Sequence, residues 1–381
     1  MKRSVSAIVT LSATLLCITS SPSWAQERRS APNEIHIGGS SALSGALQNI
    51  GSAFPKGAQL YFDAVNAAGG VNGRQIKYTV LDDAYVVDRS IANMNRLIEQ
   101  DEVLSLFGMF GTPNVLATLP IAERQRVPYF APSTGANQIR DLNAKMLFTT
   151  AASYGDEAAR MVAYLAQLGV DRTAIVYQNN STGQTTRKVT VEKLRDSNLP
   201  AAKEFAVELN GSNIPDLAKA VAKEDPSAIF LFTFGKLTGD FVKTYAATGQ
   251  RAQIFVLSIA DVAALYKELG LKSRGIIVTQ NLPPPWVANT PLVKEYIRLL
   301  GDAAKGRPDY IHFWGFVSAK AFVELLRKSG KNLSRDGLIA TIKASRPMDL
   351  GGYIVDFSGG RQHGAKYVDI TMLGADGLFI R

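Results

Sequence analysis

Apolar and polar residues follow two different spacings along this chain. Residues 53–70 (AFPKGAQLYFDAVNAAGG) place apolar side chains at helical intervals and end in two glycines, which is typical of an amphipathic helix and its C-cap. Residues 76–84 (IKYTVLDDA) and 127–132 (VPYFAP) are short apolar runs that are typical of buried strands. Segments of the two kinds alternate from residue 34 to residue 258.

This alternation predicts the fold class. Strands that alternate with helices of about 10–15 residues form parallel sheets covered by helices on both faces. The alternation consists of two runs that meet near residues 149–152. We therefore expect an α/β protein with two doubly wound lobes.

The first 25 residues predict a secretory signal peptide that is cleaved after Ala25. They combine a basic start, an apolar run that is short for a membrane span, and small residues where signal peptidase cuts. A retained membrane anchor is the alternative. The one cysteine, Cys17, lies in this segment and follows Leu16, where a lipoprotein signal needs a small residue. A chain that begins at residue 26 has no cysteine, which excludes disulfides, zinc thiolates and cysteine nucleophiles.

The charges of the remaining chain indicate a solvated surface. Its 40 basic and 33 acidic residues give a net charge of +7, and the two signs are interspersed without a basic block. This distribution argues against nucleic-acid binding. No later apolar stretch approaches the roughly 18 residues of a membrane span. About 356 residues fit two domains of ordinary size.

Two predicted strands run directly into glycine and hydroxyl residues. The first continues into Gly111, Thr112 and Pro113, where Thr112 is a good helix N-cap. The second continues into Ser133, Thr134 and Gly135. Ligands of doubly wound sheets bind outside the carboxyl ends of the strands, where helix N-termini expose unpaired amides. Amides and hydroxyls in this arrangement suit a carboxylate, although such residues also begin helices where nothing binds.

Several motifs resemble one family in order and spacing. They are ALSG (42–45), AGGVNGRQI (68–76), LDDAYVVD (81–88), FGTP (110–113), VPYFAPSTGANQIR (127–140) and TAASYGDE (150–157). The chain resembles the periplasmic solute-binding proteins of ABC importers, specifically the leucine/isoleucine/valine-binding type. The resemblance covers essentially all of the chain after the signal.

The resemblance implies a type I binding protein with two lobes, a three-segment hinge and a ligand held in the cleft between the lobes. It places lobe 1 at residues 26–150 and 281–350, and lobe 2 at residues 151–280 and 351–381. It also implies a monomer in the periplasm that works with an ABC permease and has no cofactor.

Site residues carried over by the resemblance are Thr112 and the loop of Ser133, Thr134 and Gly135, which would hold a ligand carboxylate. Gly111, directly before Thr112, is a further candidate for the ligand site. Ser44 lies in a third glycine- and serine-rich loop, SSALSG (40–45).

For three aromatic residues the sequence leaves two roles open. Tyr154 either faces the cleft or packs the hinge, and Phe110 and Tyr85 either contact the ligand or pack internally. Phe234 is expected at the far wall of the cleft. Trp286 is expected chiefly as a structural brace.

The expected ligand is a carboxylate with an apolar or aromatic body and no free amine. The family's acid for an α-ammonium falls near Ile259 and Ala260, where no acid stands, and two aromatic-type positions are Ile50 and Thr182. An unpaired buried cation is costly. The alternative is a hydrophobic amino acid whose ammonium is reached by Asp261 or Asp83.

Two other classes of function compete with transport. An enzyme is not expected, because the three histidines, His36, His312 and His363, are widely separated and no nucleophile elbow or phosphate loop is present. Metal ligation is not expected for the same reason. A subunit that passes a ligand-bound state to a chemoreceptor or a kinase would have the same sequence features as a transport protein.

Overall fold

The computed structural model describes residues 33–305, 308–331 and 333–380. The predicted signal peptide lies outside the described residues. The first half of the chain builds a five-stranded sheet with the order β2-β1-β3-β4-β5, and all of its strands are parallel. Its strands are β1 (Glu34–Ser41), β2 (Gln75–Asp82), β3 (Ser105–Phe107), β4 (Tyr129–Phe130) and β5 (Leu147–Phe148).

The second half builds a seven-stranded sheet with the order β14-β13-β10-β9-β8-β6-β7. Its strands are β6 (Thr173–Gln178), β7 (Lys203–Val207), β8 (Ala228–Phe232), β9 (Gln253–Val256), β10 (Ile277–Gln280), β13 (Asp369–Leu373) and β14 (Phe379–Ile380). Strands β6 to β10 are parallel, whereas β13 runs antiparallel to β10 and β14 antiparallel to β13. A separate antiparallel pair joins β11 (Met348–Asp349) and β12 (Ile354–Val355).

Helices connect successive strands in both halves. Those of the first half are α1 (Gln48–Ala67), α2 (Val87–Glu99), α3 (Thr112–Gln125) and α4 (Asn137–Asp141). Those that follow are α5 (Tyr154–Leu168), α6 (Ser181–Asp196), α7 (Ile214–Lys223), α8 (Lys236–Ala246), α9 (Val262–Leu269), α10 (Pro291–Leu300), α11 (Tyr310–Lys328) and α12 (Arg335–Ala344). The α/β class and the two doubly wound units predicted from the sequence are confirmed. Among the described helices, none has the length and apolar composition that a membrane crossing requires.

Three chain segments pass between the two sheets and contact one another. The Tyr353 hydroxyl donates to the Thr150 carbonyl at 2.8 Å and to the Asn281 carbonyl at 3.3 Å. Thr149 forms a bridge with His363. Thr149 and Thr150 follow β5, Asn281 follows β10, and Tyr353 and His363 lie on either side of β12, so the three crossings meet at one place.

Helix α11 returns to the first sheet and packs tightly on α1. A Cβ atom at Gly315 would collide with the Phe54 carbonyl, and one at Gly57 would collide with the His312 carbonyl. Only glycine permits this close backbone approach. Behind the helix pair, Phe107 of β3 contacts five other rings of the core, namely Phe54, Phe62, Tyr78, Phe130 and Phe322.

Strand β4 is shorter than the apolar run that predicted it. The run 127–132 yields only the two residues of β4, because Pro128 and Pro132 cannot donate to the sheet and Ala131 has a left-handed φ of 49°. Gly108, with a φ of 69°, ends β3. The carboxyl ends of these strands are therefore loops, and the loops carry most of the predicted site.

Candidate functional site

Gly111 and Thr112 join β3 to α3. The N-cap of α3 is Gly111, with a φ of 86°, and Thr112 is the first helical residue; the prediction that Thr112 is the N-cap was wrong. The Tyr85 ring lies so close to Gly111 that a side chain there would collide with it. The Thr112 hydroxyl is free from capping and pairs instead with the Thr134 hydroxyl at 2.8 Å.

The loop after β4 lies directly against this turn. The Ser133 amide donates to the Met109 carbonyl at 2.8 Å, and the Thr134 hydroxyl accepts from the Ala136 amide at 3.2 Å. The Ser133 hydroxyl is buried and has no hydrogen-bond partner within the described part of the chain. A buried hydroxyl without a partner is unusual, so this atom is available to a ligand.

Two tyrosines and a phenylalanine pack around these two turns. The Tyr154 amide donates to the Gly135 carbonyl at 2.7 Å, and the Tyr154 ring lies over Gly135. The rings of Tyr85 and Phe110 are 5.6 Å apart. Burial raises the pKa of Tyr85 to about 12, with a contribution from the Asp83 charge, and burial also raises the pKa of Tyr154. Both phenols remain protonated at neutral pH and can donate hydrogen bonds.

Ser44 is fixed by a neighbouring carboxylate. Its hydroxyl donates to Asp82 Oδ2 at 2.6 Å, and Asp82 Oδ1 accepts from the amides of Leu43 and Ala84, each at 2.9 Å. The Ser44 hydrogen bond is the main reason that the pKa of Asp82 is lowered. Asp82 thus organises the loop after β1. Asp82 and Asp83 do not cap the next helix, because the N-cap of α2 is Val86 and has no side-chain bond.

One cavity is built by both halves of the chain. Its volume is about 640 Å³. Asn49 and Ile50 of α1 form one wall, and residues 260–263 around the start of α9 form another. A second cavity of about 200 Å³ shares Asn49, Ile50, Ala260 and Asp261 with the first. The two cavities therefore share lining residues from α1 and from the loop after β9.

The predicted site residues separate into two places. Eight of them form one connected cluster, namely Tyr85, Phe110, Gly111, Thr112, Ser133, Thr134, Gly135 and Tyr154. Asp261 lines both cavities. Ser44 is held by Asp82, and Phe234 is half-buried next to Gly235, which lines the smaller cavity. Their role in binding stays a prediction.

Trp286, judged chiefly a brace from its sequence, both braces and lines the larger cavity. Its ring stacks on Phe379 at 5.7 Å with an interplanar angle of 5°, and meets Tyr310 edge-on at 5.3 Å. Sequence reasoning missed Phe379 and Tyr310. The run LPPPWV gave a signal for Trp286, but nothing in the sequence indicated that β14 brings Phe379 to it.

Two carboxylates contribute to the wall of this cavity. Asp261 caps α9 by accepting from the Ala264 amide at 2.9 Å, and Asp309 caps α11 by accepting from the Ile311 amide at 2.6 Å. Asp309 is exposed to solvent, but desolvation of its carboxyl by the surrounding protein raises its pKa. The nearby Asp261 charge raises it further. Lys305 also lines the cavity, but its ammonium pairs with Asp302 at 2.7 Å.

The histidines offer no metal site within the described residues. His312 bonds to Tyr296 and His363 to Thr149, and burial lowers the pKa of each to about 4. No group of three or more metal-binding side chains comes together in the part of the chain that the structure describes.

The chain is similar to known proteins along most of its length. Residues 34–377 match the family model described as "Periplasmic binding protein". A Leu/Ile/Val-binding protein homolog 7 from Brucella suis biovar 1 (strain 1330) is 28% identical over 179 residues, which are 44% of this chain and 44% of that protein. The alignment thus spans less than half of that relative.

Solved structures match over a longer range. A substrate-binding periplasmic protein from Ralstonia solanacearum is 29% identical, with a TM-score of 0.83 over 91% of this chain and 99% of that one. A solute-binding protein of an ABC transporter from Rhodopseudomonas palustris BisB5, solved with 3,4-dihydroxy benzoic acid, has 19% identity and a TM-score of 0.79. The second match covers 91% of this chain and 95% of that chain, and it shows a shared fold alone.

Proposed function

Because the chain belongs to the periplasmic binding protein family, we propose that it captures a small carboxylate-bearing ligand between two lobes and delivers it to an ABC permease. The observation that carries this proposal is the cavity of about 640 Å³ whose walls come from both α/β units. Ligand sites of doubly wound sheets lie at the carboxyl ends of the strands, which is where this cavity lies. Export through the predicted signal peptide would bring the chain to the periplasm.

Capture would occur by closure of the lobes. The Gln138 amide of α4 donates to the Ser181 carbonyl of α6 at 2.6 Å, so one hydrogen bond already joins the two halves outside the hinge. On a second side, Leu47 approaches Gly235. A ligand that contacts both walls stabilises the closed arrangement over the open one, which shifts the population toward closure.

The ligand carboxylate would meet the hydroxyl cluster of Thr112, Ser133 and Thr134, which is separate from the residues that line the two cavities. Hydroxyls at the start of α3 suit an anion, because the helix N-terminus adds favourable amide dipoles. The rings of Tyr85, Phe110 and Tyr154 would cover an apolar or aromatic body. We favour an aryl or branched aliphatic acid without an amine.

Asp261 favours a second ligand class, the hydrophobic amino acids. It lines both cavities, and Asp309 lines the larger one, so an ammonium there would find a carboxylate. Asp83, the other acid considered, is fully buried and already bonded to the Ser40 hydroxyl and the Tyr85 amide. Asp261 is therefore the better partner for an amine.

A thermal-shift screen of paired ligands tests the proposal and separates the two classes. Leucine would be compared with 4-methylpentanoate, and phenylalanine with 3-phenylpropanoate. A bound ligand stabilises the folded protein by mass action and so raises its melting temperature. The stabilisation is about 2.7 kcal/mol when the ligand concentration is 100 times Kd. We expect the acids without an amine to stabilise the protein.

Stabilisation by the amino acids alone would reject the favoured class and make Asp261→Asn the next variant. If small carboxylates of every body size left the melting temperature unchanged, carboxylate capture itself would be rejected.

A further inference from the structure

Glu157 is a fully buried carboxyl group behind the cavity wall. It lies in the first turns of α5, and it accepts three hydrogen bonds from two other elements. The Ser258 amide and hydroxyl donate to it, each at 2.8 Å, and the Thr279 hydroxyl of β10 donates at 2.5 Å. No cation forms an ion pair with it among the described residues.

These bonds attach Glu157 to the wall of the cavity. Ser258 lines the cavity and begins the loop that continues through Ala260 and Asp261 into α9. Thr279 precedes Gln280, which also lines the cavity. The side chain of Glu157 is therefore the element that fastens the loop after β9 to the helix that follows the first crossing.

We propose that Glu157 is a proton-sensitive latch of the cavity wall: the neutral carboxyl holds the loop of residues 257–261 in place, and ionisation loosens it. Burial raises the pKa of Glu157 to about 7, because desolvation of the charge outweighs the three hydrogen bonds that favour the ionised form. A loop movement that admits water would remove the cost of desolvation and return the pKa toward its usual value of 4.5.

The sign of the effect follows from this difference. The pKa of Glu157 is higher when the loop of residues 257–261 is held than when it is loose, so the carboxyl binds its proton more tightly while the loop is held. Protonation therefore favours the held loop. The latch therefore holds fully below the pKa that Glu157 has in the loose loop, which is near 4.5. It weakens as the pH rises above that value and through 7.

The charges around Glu157 support this reading. Asp156, its neighbour on α5, raises the pKa of Glu157, although the Asp156 carboxylate is occupied by the Ser153 amide and hydroxyl. The charge of Glu157 contributes to the pKa of Arg140 on α4 and to the pKa of Tyr154. The Arg140 guanidinium, however, donates its hydrogen bond to the Ala151 carbonyl. The loop and β10 present only hydroxyl and amide groups to the carboxyl.

Protonation would also change the Ser258 hydroxyl. A neutral Glu157 can donate to the Ser258 oxygen, and the hydroxyl hydrogen of Ser258 is then available for another acceptor. Because Ser258 lines the cavity, that acceptor can be a bound ligand. Protonation of Glu157 thus changes both the position of the loop and the hydrogen bonds that the Ser258 hydroxyl can offer to a ligand.

Hydrogen exchange without any ligand tests the latch independently of the proposed function. Exchange would be followed by mass spectrometry on the chain from residue 26 between pH 6 and 8, with each rate corrected for the intrinsic effect of pH. Protection of residues 257–261 should fall about tenfold over this range, as expected for a pKa difference of this size between two arrangements. Peptides that contain β3 should keep their protection.

The variant Glu157→Gln is a neutral group of the same shape. Its loop protection should exceed that of the wild type at both ends of this range and stay constant from pH 6 to pH 8. Asp156→Asn removes the adjacent carboxylate, which does not touch the loop, and should retain the pH dependence. Loop protection that does not vary with pH in the wild type, or that still falls in Glu157→Gln, would overturn the proposal, as would an equal fall in the β3 peptides.

Discussion

At the scale of single residues, the Ser133 hydroxyl differs from its two neighbours. Thr112 and Thr134 satisfy each other, whereas the buried Ser133 oxygen has no partner among the described residues. An unsatisfied buried group costs stability unless a ligand supplies a partner. This difference allows the binding role of Ser133 to be separated from a structural one.

Ser133→Ala should therefore leave the free energy of unfolding of the ligand-free protein unchanged or slightly increased. Ligand affinity should fall by about 1.5–3 kcal/mol, the range for a hydrogen bond to a charged group. Calorimetry with a ligand from the paired screen measures the affinity, and urea unfolding measures the stability. Thr112→Val is the matched variant, and it should lower both quantities because it also leaves Thr134 without its partner. Full affinity in Ser133→Ala would place the carboxylate elsewhere.

At the scale of elements, the pairing of α1 with α11 depends on two glycines. Gly315 lets α11 approach the backbone of α1 at Phe54, and Gly57 does the same at His312. The pair attaches the helix that follows the second crossing to the first sheet, next to the hinge.

Gly315→Ala should destabilise the protein by about 1–3 kcal/mol, because the new methyl group meets backbone that cannot move aside easily. Gly337→Ala in α12 is the control, since its Cβ would approach only the Ser334 hydroxyl, at 3.0 Å, and alanine favours a helix. Urea unfolding of both variants measures the difference. Equal stabilities would show that α1 and α11 separate at little cost.

The parallel core of the fold could be predicted from sequence, because a buried strand and an amphipathic helix have distinct local patterns. The C-terminal strands β13 and β14 could not. They are short, and β13 adds antiparallel to β10, which lies about ninety residues earlier, while β14 pairs only with β13. Local spacing contains no information about such long-range pairing.

Part of the candidate site could likewise be predicted from sequence, and part of it could not. Glycine and hydroxyl residues at strand ends predicted the cluster around Thr112 and Ser133, which the structure brings together. Tyr310 and Phe379 of the cavity wall were missed because they come from segments that are distant in sequence from Trp286. The latch at Glu157 was missed because an acid in a first helical turn is usually a solvated one, and only the packing of β9 and β10 buries it.

At the scale of the whole molecule, two sheets are joined by three segments that meet at Tyr353. A connection of this kind restricts relative motion to rotation about a small region. The contacts between Gln138 and Ser181 and between Leu47 and Gly235 lie outside that region and would break on opening. We infer that the structure corresponds to the closed arrangement, and we expect the ligand-free protein to populate a more open one.

Small-angle X-ray scattering with and without a stabilising ligand from the paired screen tests capture between the lobes most directly. We expect the radius of gyration to decrease at saturation, and the scattering to approach the curve calculated from this closed structure. A ligand that binds outside the cleft would leave the lobes as they are. An unchanged radius of gyration at a saturating ligand concentration would contradict capture between the lobes.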